Sequence, residues 1–199
     1  MIKYLDSHYL FDAAGDIIEL NAWVPDDIIE QINALNQDES NVITSRVSDD
    51  HSGTKEGWWY NKVPEGWGIP DHSVELGSFL YNKGDFLYPH RDKWRGIKSD
   101  GSIHGDSFRL ICHINHTNPK EFCFLVDDKV FVPEPGRWYA INTQKVHYGF
   151  SFVDGVYHLS AGLHLNTEET RSKTTAWLLD VLPYAQPAGD RKGIDCARN

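Results

Sequence analysis

The sequence predicts a β-rich domain flanked by helices, and three observations support that prediction. Short runs of β-branched and aromatic residues recur from Val74 to Leu165, and turn residues separate them at intervals of about 8–12 residues. Such spacing is typical of an antiparallel sandwich or barrel. The chain has 199 residues, a length that fits a single domain. Aromatic residues make up 13% of it, which excludes a disordered chain.

The first third of the chain is predicted to be mixed. An apolar repeat that follows two acidic residues predicts a helix from about Pro25 to Asn36. Alternating residues then predict a strand over 42–47. The segment Asp49–Asp71, rich in Gly, Pro and Trp, is predicted to be a long loop. Loops of this length are often functional, so we expect it to form a lid over a binding site.

The remaining residues predict the β core and a closing helix. The predicted strands are 74–81, 86–90, 108–116, 122–126, 130–132, 137–142, 146–152 and 156–165. A helix is predicted over 170–182, followed by a polar tail, Pro183–Asn199. We therefore expect one domain over residues 1–199, made of three parts: an N-terminal part (1–74), the β core (75–165), and a C-terminal helix with its tail (166–199).

Charge and cysteine content narrow the function classes. The formal net charge is −10, and no stripe of Lys or Arg relieves it, which argues against a nucleic-acid partner. No stretch approaches the ~18 consecutive apolar residues of a membrane span, so no membrane partner is expected. Acidic residues interrupt the N-terminus where a signal peptide needs an apolar run. The three cysteines form no CxxC pair, and we expect a reduced, cytoplasmic protein.

A candidate metal site is present in the core. His90 and Asp92 stand two residues apart at the end of a predicted strand, so that in extended geometry both side chains point to one face. His147 begins a later predicted strand and is the third candidate ligand. Two histidines and one carboxylate on one face of a metal are typical of non-haem Fe(II) oxygenases. His113 and His116 are interpreted as surface or supporting groups rather than ligands.

Four segments extend this pattern: FLYNKGDFLYPHRD, FRLICHINHTNP, FCFLVDDKVFVPEPGRWYAINTQKVH and GVYHLSAGLHL. Through them, residues 75–165 resemble the aspartyl/asparaginyl β-hydroxylase-like branch of the 2-oxoglutarate/Fe(II)-dependent dioxygenases, which includes free-proline cis-hydroxylases. The resemblance implies an all-β core folded as a double-stranded β-helix (jelly roll), with helices bracing one sheet. It implies Fe(II), O2 and 2-oxoglutarate as cofactor and cosubstrates. It also implies hydroxylation of an unactivated C–H bond in a small-molecule or peptide substrate, an amino acid or a peptidyl side chain.

The resemblance also assigns residues. The implied iron ligands are His90, Asp92 and His147. Trp138 and Asn142 are implied to be structural. The family carries an arginine about ten residues after the distal histidine, where it binds the distal carboxylate of 2-oxoglutarate, whereas this chain has Tyr157 followed by His158. We therefore expect Arg109 to bind that carboxylate, helped by the hydroxyl of Tyr157 or by His158.

Two alternatives remain open at this point. One is a cupin-like metal enzyme that uses no 2-oxo acid. The missing arginine favours it, whereas the HxD pair disfavours it because cupins prefer HxH. The other is a jelly-roll module that binds a ligand without catalysis, for example a sugar stacked on tryptophans. The oligomeric state is not predicted.

Overall fold

The computed structural model describes residues 11, 14–37, 55–60, 66–70, 74–92, 107–164 and 167–182. Over these ranges the chain forms ten strands and two long helices. The predicted strand over 42–47 and the predicted tail, Pro183–Asn199, lie outside the described residues. The predicted β-rich core with flanking helices is confirmed.

The helices begin where acidic or hydroxyl side chains can satisfy free backbone N–H groups. Helix α1 spans Asp26–Gln37, with two aspartates in its first turn. Helix α2 spans Glu168–Val181, and Thr167 caps it through a reciprocal pair of hydrogen bonds with Thr170. The strands are β1 (Ile17–Trp23), β2 (Lys55–Tyr60), β3 (Val74–Tyr81), β4 (Phe86–His90), β5 (Ser107–His113), β6 (Phe122–Val126), β7 (Lys129–Phe131), β8 (Arg137–Ile141), β9 (His147–Ser151) and β10 (Val156–His164).

Two strands depart from the sequence-based prediction. The prediction of an unstructured loop over Asp49–Asp71 is wrong in its middle, because β2 pairs antiparallel with β3 there. The Trp-Trp-Tyr run of β2 has high β propensity, which outweighs the neighbouring glycine. Strand β1 was not predicted at all. Its residues alternate between buried and exposed, as a strand with one solvent-facing side requires.

The strands form two antiparallel sheets. The larger sheet has the strand order β1-β8-β5-β10-β3-β2, and the smaller has the order β4-β9-β6-β7. Neighbours in space are often distant in sequence, as in the pairing of β5 with β10. The connections therefore pass repeatedly from one sheet to the other, as in a jelly roll.

Alternating side chains of the larger sheet build two separate cores. The inner core lies between the sheets and contains Tyr81, Ile111 and Tyr139 from the larger sheet with Phe122 and Phe124 from the smaller. The outer core covers the opposite face of the larger sheet. Its members include Leu110, Cys112, Trp138, Leu159, Leu163, Ile32 of α1 and Leu178 of α2. The two helices thus brace one sheet only.

The turn before β3 is anchored on the outer core. Trp67 is buried, and its carbonyl accepts a hydrogen bond from Nε1 of the buried Trp138 at 3.0 Å. The next residue, Gly68, has a φ of +78°, and a Cβ there would lie 2.1 Å from the carbonyl oxygen of Trp23. This close approach to β1 therefore requires glycine. Trp67 accordingly has a structural position, within the segment predicted to be a lid.

Neither helix of the described part of the chain has the length and apolar character needed to cross a membrane.

Replacing Gly68 by alanine tests this packing. Gly66 is the matched control, because it also has a positive φ but a Cβ there would meet nothing within 4 Å. We expect Gly66→Ala to lower the free energy of unfolding by ~1 kcal/mol from backbone strain alone. Gly68→Ala should lose at least ~2 kcal/mol more because the Trp23 backbone must move. Urea denaturation measures both, and equal losses would contradict the proposed contact.

Candidate metal centre

The three predicted ligands meet at one end of the smaller sheet. Strands β4 and β9 pair so that His90 and His147 are direct partners, with ring centroids 4.2 Å apart. The Asp92 carboxylate completes the set, with Oδ1 3.6 Å from Nε2 of His90 and 3.8 Å from Nε2 of His147. One ligand atom from each residue lies within 4.8 Å of the others. A single ion could therefore contact all three.

A break in the β4–β9 register turns His90 toward this site. Leu87 pairs with Gly149, but the register shifts before His90. Without the shift, His90 would continue the row of Phe86, which stacks on the exposed Phe150, and of the exposed Tyr88. Bulges of this kind re-aim side chains near active sites. Pro89 occupies the break, where a residue without an N–H costs no ladder hydrogen bond.

Backbone carbonyls fix the tautomers of both histidines. Nδ1 of His90 lies 2.6 Å from the carbonyl oxygen of Tyr88, and Nδ1 of His147 lies 3.2 Å from that of Lys145. A carbonyl oxygen only accepts, so each Nδ1 carries the hydrogen and donates it. The Nε2 lone pairs are then left facing Asp92. This arrangement of an imidazole held from behind is typical of metal-binding histidines.

Burial favours the neutral, ligating form of His147. Its side chain is 5% exposed, whereas those of His90 and Asp92 are 28% and 23% exposed. Burial, reinforced by the neighbouring His90, lowers the pKa of His147 to about 4. His147 is thus unprotonated at neutral pH without help from a metal. The other two ligands form the solvent-facing side of the site.

The turn before β9 holds Asp92 by its backbone. The N–H of Asp92 donates to the carbonyl of Thr143 at 2.9 Å, and Nε2 of Gln144 donates to the Asp92 carbonyl at 3.1 Å. Asn142 fixes the same turn to the start of β1. Its backbone N–H and its side-chain Nδ2 both donate to Asp16, each at 2.9 Å. The carboxylate ligand therefore takes its position from the turn that also starts the His147 strand.

Arg109 lies beside the predicted ligands. Its Nε is 3.6 Å from Oδ2 of Asp92, and its Nη1 donates to Oγ of Ser160 at 3.4 Å. Gly162 is its partner on β10, and a Cβ there would make ordinary van der Waals contact with Nη1, at 3.5 Å. The side chain is 29% exposed. The guanidinium is thus placed to meet an anion at the metal centre.

His158 and Tyr157 occupy opposite faces of β10. His158 is 4% exposed and packs, with tilted rings, against Phe79 and Tyr81 between the two sheets. Burial lowers the pKa of His158 to about 3, so the ring is neutral. Tyr157 packs against the outer core instead. The structure therefore brings Arg109 to the three ligands, places His158 deeper in the same interior, and places Tyr157 on the other side of the sheet.

His113 was interpreted as a surface or supporting group, and the structure excludes the surface position. It is 1% exposed and lies between the sheets, with its ring centroid 5.4 Å from that of His158. It shares its face of β5 with Arg109 and Ile111, and this alternation was the available signal. His116, by contrast, is partly exposed and lies 3.2 Å from the Glu121 carboxylate.

Comparison with known proteins places the fold. No protein-family model and no curated protein matches the chain. A prolyl-4-hydroxylase from Pseudomonas putida aligns with a TM-score of 0.54 at 14% identity, covering 78% of this chain and 95% of its own. A prolyl hydroxylase from Trichoplax adhaerens, in complex with a hypoxia inducible factor oxygen degradation domain peptide fragment, aligns with a TM-score of 0.53 at 11% identity, covering 83% and 90%.

The fold is a double-stranded β-helix. Likeness at this level of identity shows the fold and no more, so the predicted jelly roll is confirmed, while chemistry has to be argued from the site.

The variant Gln144→Ala tests whether the hydrogen bond from Gln144 to the Asp92 carbonyl positions Asp92. Removing the amide leaves the ligands unchanged but loosens the segment that carries Asp92, so we expect metal affinity to fall by ~10-fold, as for other groups that support ligands. Lys145→Ala is the control, because within the described part of the chain its side chain pairs only with the exposed Asp127, and its backbone carbonyl remains. Calorimetric titration with Mn²⁺ measures both variants. Wild-type affinity in Gln144→Ala would contradict the role.

Proposed function

We propose that this protein is an Fe(II)- and 2-oxoglutarate-dependent dioxygenase that hydroxylates an unactivated C–H bond of an amino acid or a peptidyl side chain. The observation that supports this most directly is the convergence of His90, Asp92 and His147 within 4.8 Å. Two neutral imidazoles and one carboxylate suit Fe(II) and leave positions open for other ligands. The fold shared with two prolyl hydroxylases supports the same interpretation.

The donor set fits the metal in charge as well as in type. Both histidines offer Nε2 lone pairs, and the single carboxylate offsets part of the charge of a divalent ion. Bound Fe(II) would supply oxygen activation coupled to oxidation of the 2-oxo acid. The chain itself holds the ligands, orients the bound acids and limits water. The inner core, walled by aromatic rings, provides that exclusion on its deep side.

The proposed cosubstrate carries two carboxylates, and the chain offers groups for them at two depths. Arg109 is beside the metal ligands, where it can bind a carboxylate of the cosubstrate or of the substrate. His158 is deeper, on the same interior face of β10 as Ser160. Tyr157 packs against the outer core, and its predicted role in binding a carboxylate of the cosubstrate stays a prediction. A peptide substrate is consistent with the peptide bound to the Trichoplax enzyme.

One observation favours a second candidate, a cupin-like metal enzyme without a 2-oxo acid. The interior position of β10 that follows the distal histidine holds the neutral His158 rather than a cation. A buried carboxylate that faces no cation costs several kcal/mol. The two candidates differ in whether a 2-oxo acid binds the metal-loaded protein.

Succinate release tests the function. Fe(II)-loaded wild-type protein, supplied with 2-oxoglutarate, O2 and a panel of amino acids and proline-containing peptides, should release succinate with at least one of them. Asp92→Ala should lose both turnover and at least ~100-fold in metal affinity, since one ligand and its charge leave together. Asp127→Asn, an exposed acid, is the control. Protein that binds no iron would indicate a non-catalytic module, and iron binding without use of any 2-oxo acid would favour the cupin-like enzyme.

Arg109→Ala tests the carboxylate contact near the metal. The loss of charge-assisted hydrogen bonds worth ~1.5–3 kcal/mol should raise the 2-oxoglutarate requirement by ~10- to 100-fold. Arg171→Ala on the exposed face of α2 is the control. Tyr157→Phe is titrated in parallel to test its predicted role. An unchanged 2-oxoglutarate requirement in Arg109→Ala, with metal binding intact, would remove Arg109 from cosubstrate binding.

A further inference from the structure

Two buried histidines face each other inside the jelly roll. His113 on β5 and His158 on β10 are partners in the ladder and lie on the same interior face. They are 1% and 4% exposed, and their ring centroids are 5.4 Å apart. Both ring nitrogens of His113 and Nδ1 of His158 have no hydrogen-bond partner among the residues that the structure describes.

Aromatic rings surround the pair. Phe79 and Tyr81 of β3 pack against His158 with tilted rings, while Phe131 of β7 packs edge-on against His113. Rings of β6 contact both histidines. Over the described residues, the other titratable groups on these walls are Tyr81 and, behind Phe131, Tyr139. Burial raises the pKa of each tyrosine, so both are neutral.

Polar atoms buried among aromatic rings lower the stability of the fold unless they form hydrogen bonds. Nearly all buried polar groups in folded proteins are hydrogen-bonded, and leaving one unsatisfied lowers stability. An aromatic residue would suit either position without that cost. The presence of two adjacent histidines therefore indicates a ligand that accepts hydrogen bonds from both rings. A carboxylate, with two acceptor oxygens, can bridge rings at this separation.

We propose that His113 and His158 form a two-histidine site that binds the distal carboxylate of the 2-oxo acid and takes up one proton with it. This inference rests on the proposed function, which assigns the acid to the metal centre. It adds His113 to the binding residues and makes cosubstrate affinity depend on pH.

The ring of Phe124 and the interior face of β5 link the histidine pair to the metal centre. Phe124 lies against His147, with ring centroids 6.4 Å apart, and against His113 and His158 at 6.0 and 6.2 Å. Along β5, Arg109 and His113 share the interior face and are ~13 Å apart between Cα atoms at ~3.3 Å per residue. The long Arg109 side chain shortens this gap by reaching toward Ser160.

The uptake of one proton by the histidine pair follows from the electrostatics of its surroundings. Burial, and for His113 also the nearby His158, lowers the pKa of both rings, so the pair is uncharged in the free protein. An anion beside the rings reverses this effect, since an opposite charge within reach favours the protonated imidazole. Two protonated rings would repel each other. One proton per carboxylate is therefore expected.

Calorimetry on Mn²⁺-loaded protein measures this without turnover. Titrating 2-oxoglutarate in two buffers of different ionisation enthalpy gives the number of protons bound, and we expect close to one at pH 7.5. The dissociation constant should rise by up to ~10-fold per pH unit between pH 6.5 and 8.5, because proton uptake becomes harder as pH rises. Pyruvate, which lacks the distal carboxylate, should bind with little pH dependence.

Variants separate a binding role from a structural one. His113→Phe and His158→Phe should weaken 2-oxoglutarate binding by ~10- to 100-fold while leaving pyruvate and Mn²⁺ binding unchanged. Their melting temperatures should be no lower than that of the wild type, because the buried unsatisfied nitrogens are gone. His158→Gln keeps a donor without the proton, so it should flatten the pH dependence. His116→Asn is the control, outside the interior.

The outcomes distinguish this inference from the proposed function. Wild-type affinity for 2-oxoglutarate in both phenylalanine variants, or binding without proton uptake, would overturn the two-histidine site and leave the dioxygenase proposal intact. Metal-loaded wild-type protein that binds pyruvate but not 2-oxoglutarate would also overturn it. Protein that binds Mn²⁺ but neither acid would overturn both proposals together.

Discussion

The register break in β4 is the constraint on which the candidate site depends. It lies at Pro89, between Leu87 and His90, and it turns His90 from the exposed face of the smaller sheet toward His147. A regular strand would leave His90 in the row of Phe86 and Tyr88, away from Asp92 and its partner histidine. The backbone hydrogen bond from Asp92 to Thr143 then holds the carboxylate against the same pair. The geometry of the candidate ligands is thus set by the backbone.

The sequence named the three candidate ligands from local periodicity, their order along the chain and the family resemblance. His90 and Asp92 stand two apart, and His147 begins a strand, so all three could be named before any pairing was known. The mechanism of convergence was not predictable, because same-face geometry for residues two apart assumes a regular strand. The actual arrangement includes a bulge and a loop residue. Strand β2 was missed for a related reason: its pairing with β3 is a tertiary contact that composition does not reveal.

The positions of Tyr157 and His158 on β10 show that spacing along the sequence does not predict which side chain faces the interior. Counting about ten residues from His147 reaches Tyr157, but the face that a strand residue occupies reverses with every step. The structure puts Tyr157 on the outer core and His158 on the inner one. A resemblance that locates a position to within one residue therefore cannot say which side chain enters the interior. The burial of His113 was not predictable for a similar reason, since it depends on a second sheet built from distant segments.

The outer core mainly stabilises the fold, whereas the inner core also contains the polar groups near the candidate site. The hydrophobic cluster of the outer core joins both helices to the larger sheet, so hydrophobic burial there stabilises the fold. The inner core is where Arg109, Ser160 and the histidine pair enter the same space as the aromatic rings. Because the outer face already stabilises β5, β8 and β10, the inner face of the same strands can keep polar groups that lower stability. Native proteins accept such groups where a ligand uses them. Strand β10 carries Leu159, Ala161 and Leu163 on the outer face and His158 and Ser160 on the inner face, so a change on one face of this strand directly affects the other.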